Sequence, residues 1–272
     1  MKAAAVSLIG IVILIIAACA AGIFASNSLH APNLQIGATS PSWPHVFGTD
    51  ALGRDLFLRI LDGARISLLV AFVATAVSLV IGVPYGAISG YAGGKVDSAM
   101  MRCVDILYGL PSILFVLLLL AWFGRDPNWS MPLLFIGLGS ISWLTTARIV
   151  RAQILSLRER EFVDAARLAG APALTILFRH LIPHTAGPVV AYATLTIPRV
   201  MIEEAFLSFL GLGVAAPRAS WGTLLSDGMQ SMREYPWLVF FPAGALALTL
   251  VAFYSFGDAL RTALDPRESR RS

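Results

Sequence analysis

The chain has 272 residues, of which 57% are apolar and only 13% charged, and its formal net charge is +4. A soluble domain carries about 45–50% apolar and about 25% charged residues, so this chain has too few charges to clothe a globule and must turn much of its surface to lipid. That excludes a cytoplasmic enzyme, a disordered chain and a disulfide scaffold; Cys19 and Cys103 form neither a metal-ligand spacing nor a disulfide framework.

A helix needs about 20 mostly apolar residues to cross the hydrocarbon core. The first such run, about 4–26, follows Lys2. Ile16-Ala17-Ala18-Cys19 within it resembles a lipoprotein cleavage signal, but the apolar run continues to Phe24 and five more runs follow, so a retained anchor helix is expected. After a polar segment at about 27–65, further spans are expected at about 66–89, 106–124 and 130–148. Gly82, Gly86 and Gly90 recur every four residues and make a smooth face for close helix approach. Gly94-Lys95 is the nearest thing to a phosphate loop, but Ser89 and Val96 stand where that loop needs Gly and Ser or Thr, so this chain is not expected to bind ATP.

Residues 149–186 read as a soluble loop. A polar helix is expected from Leu155, stopped by Gly170 at a C′ position. Pro172 suits the first turn of a second helix, which Pro183 ends. Leu174, Leu177, Phe178 and Leu181 fall at i, i+3, i+4 and i+7 of it, which predicts one apolar face with no core of its own. Such a face needs a soluble partner or the membrane surface. His180 and His184 could share a helix face for a metal, but Pro183 lies between them and no metal site is expected.

The fifth span, about 187–210, is the one with ionisable residues in its middle: Arg199, Glu203 and Glu204. Arg199 and Glu203 are four apart and can pair. Charges in lipid cost about 2.5–3.5 kcal/mol each on insertion scales, so these groups should face a cavity or a partner helix. They could line a translocation path, lock two subunits together, or form an ion pair that only fixes packing. In the segment at about 211–236, Ser220 can cap a short helix with Trp221, Leu224, Leu225, Met229 and Met232 near one face. That helix would lie at the outer interface as a docking or gating element, or as a plug over helix ends, with Trp221 and Trp237 at headgroup depth. A sixth span follows at about 237–257.

With the N-terminus cytoplasmic, the inner segments hold thirteen basic residues and the outer ones six, which fits the positive-inside rule. Both termini are then cytoplasmic, 149–186 is inside, and 27–65 and 211–236 are periplasmic. The +4 charge therefore records membrane orientation, and no nucleic-acid partner is expected. A self-sufficient secondary transporter would need coupling-ion sites and usually an internal repeat; only Arg199, Glu203 and Glu204 could serve, and no repeat is evident.

Asp164-Ala165-Ala166, three residues, Gly170, then Ile182-Pro183 resembles the EAA loop of ABC importer permeases, with Asp164 in place of the usual Glu and His180 where Ile is common outside the peptide-permease branch. Further segments are similar to the peptide/nickel branch. They are Phe47-Gly48-Thr49-Asp50 with Gly53-Arg54-Asp55, and Gly90-Tyr91 with Gly93-Gly94-Lys95-Val96-Asp97 and Met101-Arg102. Glu204 with Leu207-Ser208-Phe209-Leu210-Gly211-Leu212-Gly213, Ser220-Trp221-Gly222 and the run from Gly257 to Pro266 complete the set. Ser226-Asp227-Gly228 and Ser231-Met232 look most like oligopeptide permease C subunits, with dipeptide and nickel permeases as alternatives.

The resemblance implies an all-α type I ABC importer permease fold with six transmembrane helices in the bacterial inner membrane. It implies a homologous second permease subunit, two ATP-binding subunits that hold ATP and Mg, an extracytoplasmic substrate-binding protein and a peptide substrate. This chain itself would bind no cofactor and hold no catalytic group. Residues from Ala165 to Phe178 would form the coupling helix, with Asp164 meeting a basic group of an ATPase and Gly170 making the turn. Leu174, Leu177, Phe178 and Pro183 would complete the coupling element, and Trp221, Leu225 and Met229 would lie on the binding-protein side.

Overall fold

The computed structural model describes residues 2–24, 32–123, 127–214 and 218–264. The expectations placed on His30, Arg125 and the tail from Asp265 through Arg271 lie outside the described residues. The described chain is helical, with α1 (Lys2–Phe24), α2 (Leu56–Ala92), α3 (Gly94–Tyr108), α4 (Ser112–Phe123), α5 (Pro127–Leu157) and α6 (Glu161–Leu168). After these come α7 (Ala173–Thr175), a π-helical turn (Ile176–Leu181), α8 (Ile182–His184), α9 (Ala186–Phe209), α10 (Trp221–Gln230) and α11 (Trp237–Leu264).

Among the described residues, three helices are long and apolar enough to cross a bilayer: Leu56–Ala92, Pro132–Leu157 and Trp237–Leu264. The pair α3 and α4, bent by 72° between them, makes a fourth candidate. The continuous span expected over 106–124 is thus broken, because Ile106–Tyr108 end α3 and α4 starts at Ser112. Pro111 has no N–H to carry the helix on and disfavours helical backbone at Leu110, which explains the break. Val80, Leu118, Phe240, Leu248 and Val251 all stand exposed, as lipid-facing residues should.

The most extensive helix pairing is α2 against α5. It follows from the glycine repeat. A Cβ at Gly82 would sit 2.6 Å from the Thr146 Cβ, one at Gly90 would sit 2.8 Å from the Arg151 carbonyl, and one at Gly86 would collide with the Ala147 carbonyl. Only glycine allows the backbones so close, and dispersion over that contact replaces the hydrophobic effect that lipid cannot supply. Ser78 and Thr146 share a 2.8 Å hydrogen bond in the same seam. Near its end, Arg151 clamps Asp97 of α3 with two bonds, Nε–Oδ1 at 2.5 Å and Nη2–Oδ2 at 2.6 Å. Ser89 of α2 donates to the same carboxylate, so α2, α3 and α5 meet at one residue.

Two apolar clusters mark the two ends of α2. One surrounds Leu56, Ile60, Leu207 and Trp221; the other joins Ala87, Val150 and Ile154 to Val163, Ile176, Leu177 and Leu181. The segment before α2 is a polar knot. Asp50 Oδ2 accepts from Arg54 Nε and from Arg59 Nη1, both at 2.7 Å, and its Oδ1 accepts from the Leu52 and Arg54 amides. Asp55 caps α2 by accepting from the Leu58 amide at 3.0 Å and pairs with His45 at 2.8 Å. The Phe47–Asp55 motif is therefore explained by local folding: each of its carboxylates closes a loop or starts a helix.

Candidate functional site

Three regions carry the residues singled out from the sequence. The first lies at the far end of α2. Here α5 runs on to Leu157, well past the expected membrane boundary at 148, and stops at Arg158. The single polar helix expected from Leu155 to Gly170 is therefore two pieces, the end of α5 and the separate α6. Gly170 ends α6 as predicted. Its φ is +75°, its amide bonds to the Arg167 carbonyl at 3.0 Å, and the Ala171 amide reaches the Ala166 carbonyl at 3.1 Å. Those two bonds form a Schellman motif, which satisfies carbonyls that would otherwise be left open.

The predicted apolar stripe divides. Leu177 and Leu181 are buried against α2 and α5, whereas Leu174 is 69% and Phe178 51% exposed. Pro183 does not end the helix either; helical backbone continues through α8, and Thr185 leads directly into α9. The physical cause of both corrections is the π-helical turn at Ile176–Leu181. Its wider winding accommodates a proline that cannot donate to the turn below, and it changes the angular spacing on which the four-residue stripe depended. Leu174 and Phe178 stand out with Leu168, 90% exposed, while Val163, Ile176, Leu177 and Leu181 anchor the element from behind. Ala165 is exposed and Ala166 half-buried, and Pro183 is exposed. Asp164 is exposed and pairs with Arg167 at 3.1 Å, a surface pair of little energetic weight. His184 bonds the His180 carbonyl through Nδ1 at 2.5 Å and stacks on Phe162.

The second region is midway along α9. Arg199 Nε donates to Glu203 Oε1 at 3.1 Å, and both line a partly open cavity of about 300 Å3 bordered by residues of α3, α4 and α5. Tyr108, Ser140, Ser142 and Thr145 give it hydroxyls, and Leu107, Leu110, Phe115 and Leu144 give it apolar walls. Tyr108 also contacts Thr145 at 3.3 Å and supports Arg148, whose guanidinium lies 4.3 Å from the ring centroid and pairs with Asp105 at 2.7 Å. Glu204 does not join this group. It is fully buried on another side of α9, accepting from Ser67 Oγ at 2.8 Å and Ser208 Oγ at 2.6 Å and bonded to Ser220 as well. The grouping of three charges therefore separates into a cavity-lining pair and a packing carboxylate. Consecutive helical residues are rotated about 100° from each other, so their surroundings differ.

The third region is α10, over the start of α2. Ser220 caps it in a capping box with Thr223, as predicted. Trp221, expected at headgroup depth and on a docking face, is instead fully buried, with Nε1 donating to the Ile60 carbonyl at 3.0 Å. The helix turns Trp221, Leu224 and Gly228 inward, leaves Leu225 half-buried and exposes Met229, and Met232, expected on the same helix, lies in the turn after it and is exposed as well. Beside it Arg59, buried and paired with Asp50, also approaches Asp227 at 3.7 Å. This ionic link between the Asp50 knot and α10 joins residues far apart in sequence, and no local pattern announces it.

Residues 82–270 match the model of a family described as the binding-protein-dependent transport system inner membrane component. The chain belongs to that family. It is a multi-pass component of the bacterial inner membrane. It is 50% identical over 236 residues to the oligopeptide transport system permease protein OppC of Haemophilus influenzae, covering 87% of this chain and 75% of that protein. It is 44% identical over 231 residues to the dipeptide transport system permease protein DppC of Bacillus subtilis, covering 85% and 71%. A solved chain of the inward-facing MetNI methionine ABC transporter matches with a TM-score of 0.58 at 17% identity, covering 77% of this chain and 98% of that one. That likeness shows the fold alone: this inner membrane component folds as the matched chain of that transporter does.

Proposed function

We propose that this chain is one permease subunit of an ATP-driven importer of oligopeptides, and that it couples to its ATPases through the ridge of Leu168, Leu174 and Phe178. The observation that carries this reading is the split stripe. A short element presents large apolar side chains to water while Val163, Ile176, Leu177 and Leu181 bind it firmly to α2 and α5. An exposed apolar ridge on a rigid base suits a protein groove, and a rigid base passes movement into the long helices.

In this reading six helical segments cross the membrane, both termini are cytoplasmic, and the Asp164–Pro183 element faces the cytoplasm. A homologous permease subunit completes the path. Two ATP-binding subunits hold ATP and Mg, and one of them offers a basic group to Asp164. An extracytoplasmic binding protein meets the opposite end near Leu225 and Met229. Closure of the ATPase pair moves the coupling element and turns the path outward; hydrolysis restores the inward-facing state. Arg199 and Glu203 line the path. The oligopeptide assignment draws on the names of the relatives, among which dipeptide permeases also stand.

The test uses the reconstituted complex with Gly170→Leu and, separately, Asp164→Arg. Both are expected to reduce peptide uptake and the ATPase rate stimulated by the binding protein. Normal values of both quantities in both variants would overturn the coupling assignment. Uptake of defined peptides and of nickel ions by the unaltered complex decides the substrate.

A further inference from the structure

Arg199 is the fourteenth of the 24 residues of α9, about 20 Å along the helix from Ala186 and so near its middle. A guanidinium has five N–H donors. Among the described residues, the Nε–H donates to Glu203, and no acceptor meets the four N–H of the two terminal nitrogens. The Arg199 side chain is 52% exposed and that of Glu203 only 18%, so the cation is the more accessible partner of the pair. Both line the cavity of about 300 Å3 that Tyr108 and Thr145 also border.

We propose that the Arg199 fork receives the C-terminal carboxylate of a peptide in transit. The proposal rests on the reading of this chain as a peptide permease and names the group its path recognises. Planar guanidinium and planar carboxylate match in two parallel N–H···O bonds, which ammonium or hydroxyl donors cannot reproduce. Every linear peptide carries one terminal carboxylate whatever its side chains, so a single cation reads a feature shared by all substrates. The walls formed by Leu107, Phe115 and Leu144 offer dispersion contacts without selecting a particular residue. A lipid phosphate is a poorer occupant, because headgroups lie at the membrane surface and Arg199 lies near mid-helix. Glu203 keeps the cation partly neutralised between transport events, which lowers the cost of a charge at that depth and lets the ligand leave again.

The experiment uses the complete transporter in vesicles with its binding protein, and compares trialanine with trialanine amide. Each variant rate is divided by the wild-type rate for the same substrate, so that the binding protein's own preference cancels. For Arg199→Gln, the rate for the acid is expected to fall about tenfold more than the rate for the amide. An equal fall for both substrates, or no fall, overturns the proposal. Glu203→Gln gives a second reading, because it removes the competing carboxylate and keeps the fork. It is expected to favour the acid over the amide relative to wild type, and an unchanged or reversed preference overturns the proposal even where Arg199→Gln fails to assemble. Failure of the wild-type complex to move either peptide would instead overturn the peptide-permease reading itself.

Discussion

Ser67 of α2 donates a 2.8 Å hydrogen bond to Glu204 of α9, across 137 residues of sequence, and the same Ser67 oxygen accepts from the Trp221 amide at 3.3 Å. One carboxylate and three serines thereby fasten α2, α9 and α10 together, next door to the Glu203 that faces the cavity. Burial leaves Glu204 dependent on these hydroxyls. Glu204→Ala is expected to destabilise the purified complex by about 1.5–3 kcal/mol, whereas Glu204→Gln retains an acceptor and loses less. Thermal unfolding in detergent measures the difference; equal loss in both variants would show that one retained acceptor does not hold the hydroxyls and that both carboxylate oxygens are needed.

The α2–α5 seam should be intolerant of a single methyl group. At Gly86 a Cβ would collide with the Ala147 carbonyl, and backbone cannot step aside as a side chain can. Gly86→Ala is expected to cost about 1–3 kcal/mol. Gly244→Ala on α11, where nothing lies within 4 Å of the added carbon, is the control and is expected to be neutral or slightly stabilising. Side-by-side melting curves of the two variants check the contrast.

Leu177 and Phe178 are adjacent but should respond differently to truncation. Leu177→Ala opens a hole in a closed cluster and is expected to destabilise by about 2–5 kcal/mol. Phe178→Ala removes a half-exposed ring and is expected to change stability by less than about 0.5 kcal/mol. If the ridge seats an ATPase, Phe178→Ala nevertheless lowers binding-protein-stimulated ATP hydrolysis. Stability of the isolated permease and hydrolysis by the assembled complex, measured together, separate the two roles.

Asp50 and Arg59 form an ion pair at 2.7 Å with side chains 9% and 7% exposed. Removing the carboxylate alone leaves the buried cation beside Arg54 with the longer, 3.7 Å approach to the exposed Asp227 in place of the 2.7 Å pair. Asp50→Ala is expected to cost about 3–5 kcal/mol. Combining it with Arg59→Met should recover a large part of that loss, because the stranded charge goes too. A double-mutant cycle on thermal stability reads the recovery; simple additivity would mean that the pair contributes no coupling.

Much of this protein is legible one helix at a time. The 57% apolar and 13% charged composition already demands lipid. The Gly82-Gly86-Gly90 repeat, the turn at Gly170 and the Ser220 cap are local rules of backbone geometry, and each takes effect in the structure where the pattern places it. Periodicity also says which side chains share a face, but not what that face meets. Only tertiary packing decided that Trp221 turns inward beneath α10, that Glu204 leaves its charged neighbours for a cage of serines, and that Arg59 reaches both Asp50 and Asp227. Where the π-helical turn before Pro183 alters the winding, even the shared face is lost, and Leu177 is buried while Phe178 stands in water. The physical reason is common to all of these cases. Local geometry is set by bonds among near neighbours, whereas burial and pairing depend on which separate elements come together, as Trp221 with Ile60, Glu204 with Ser67 and Arg59 with Asp227 do across more than a hundred residues.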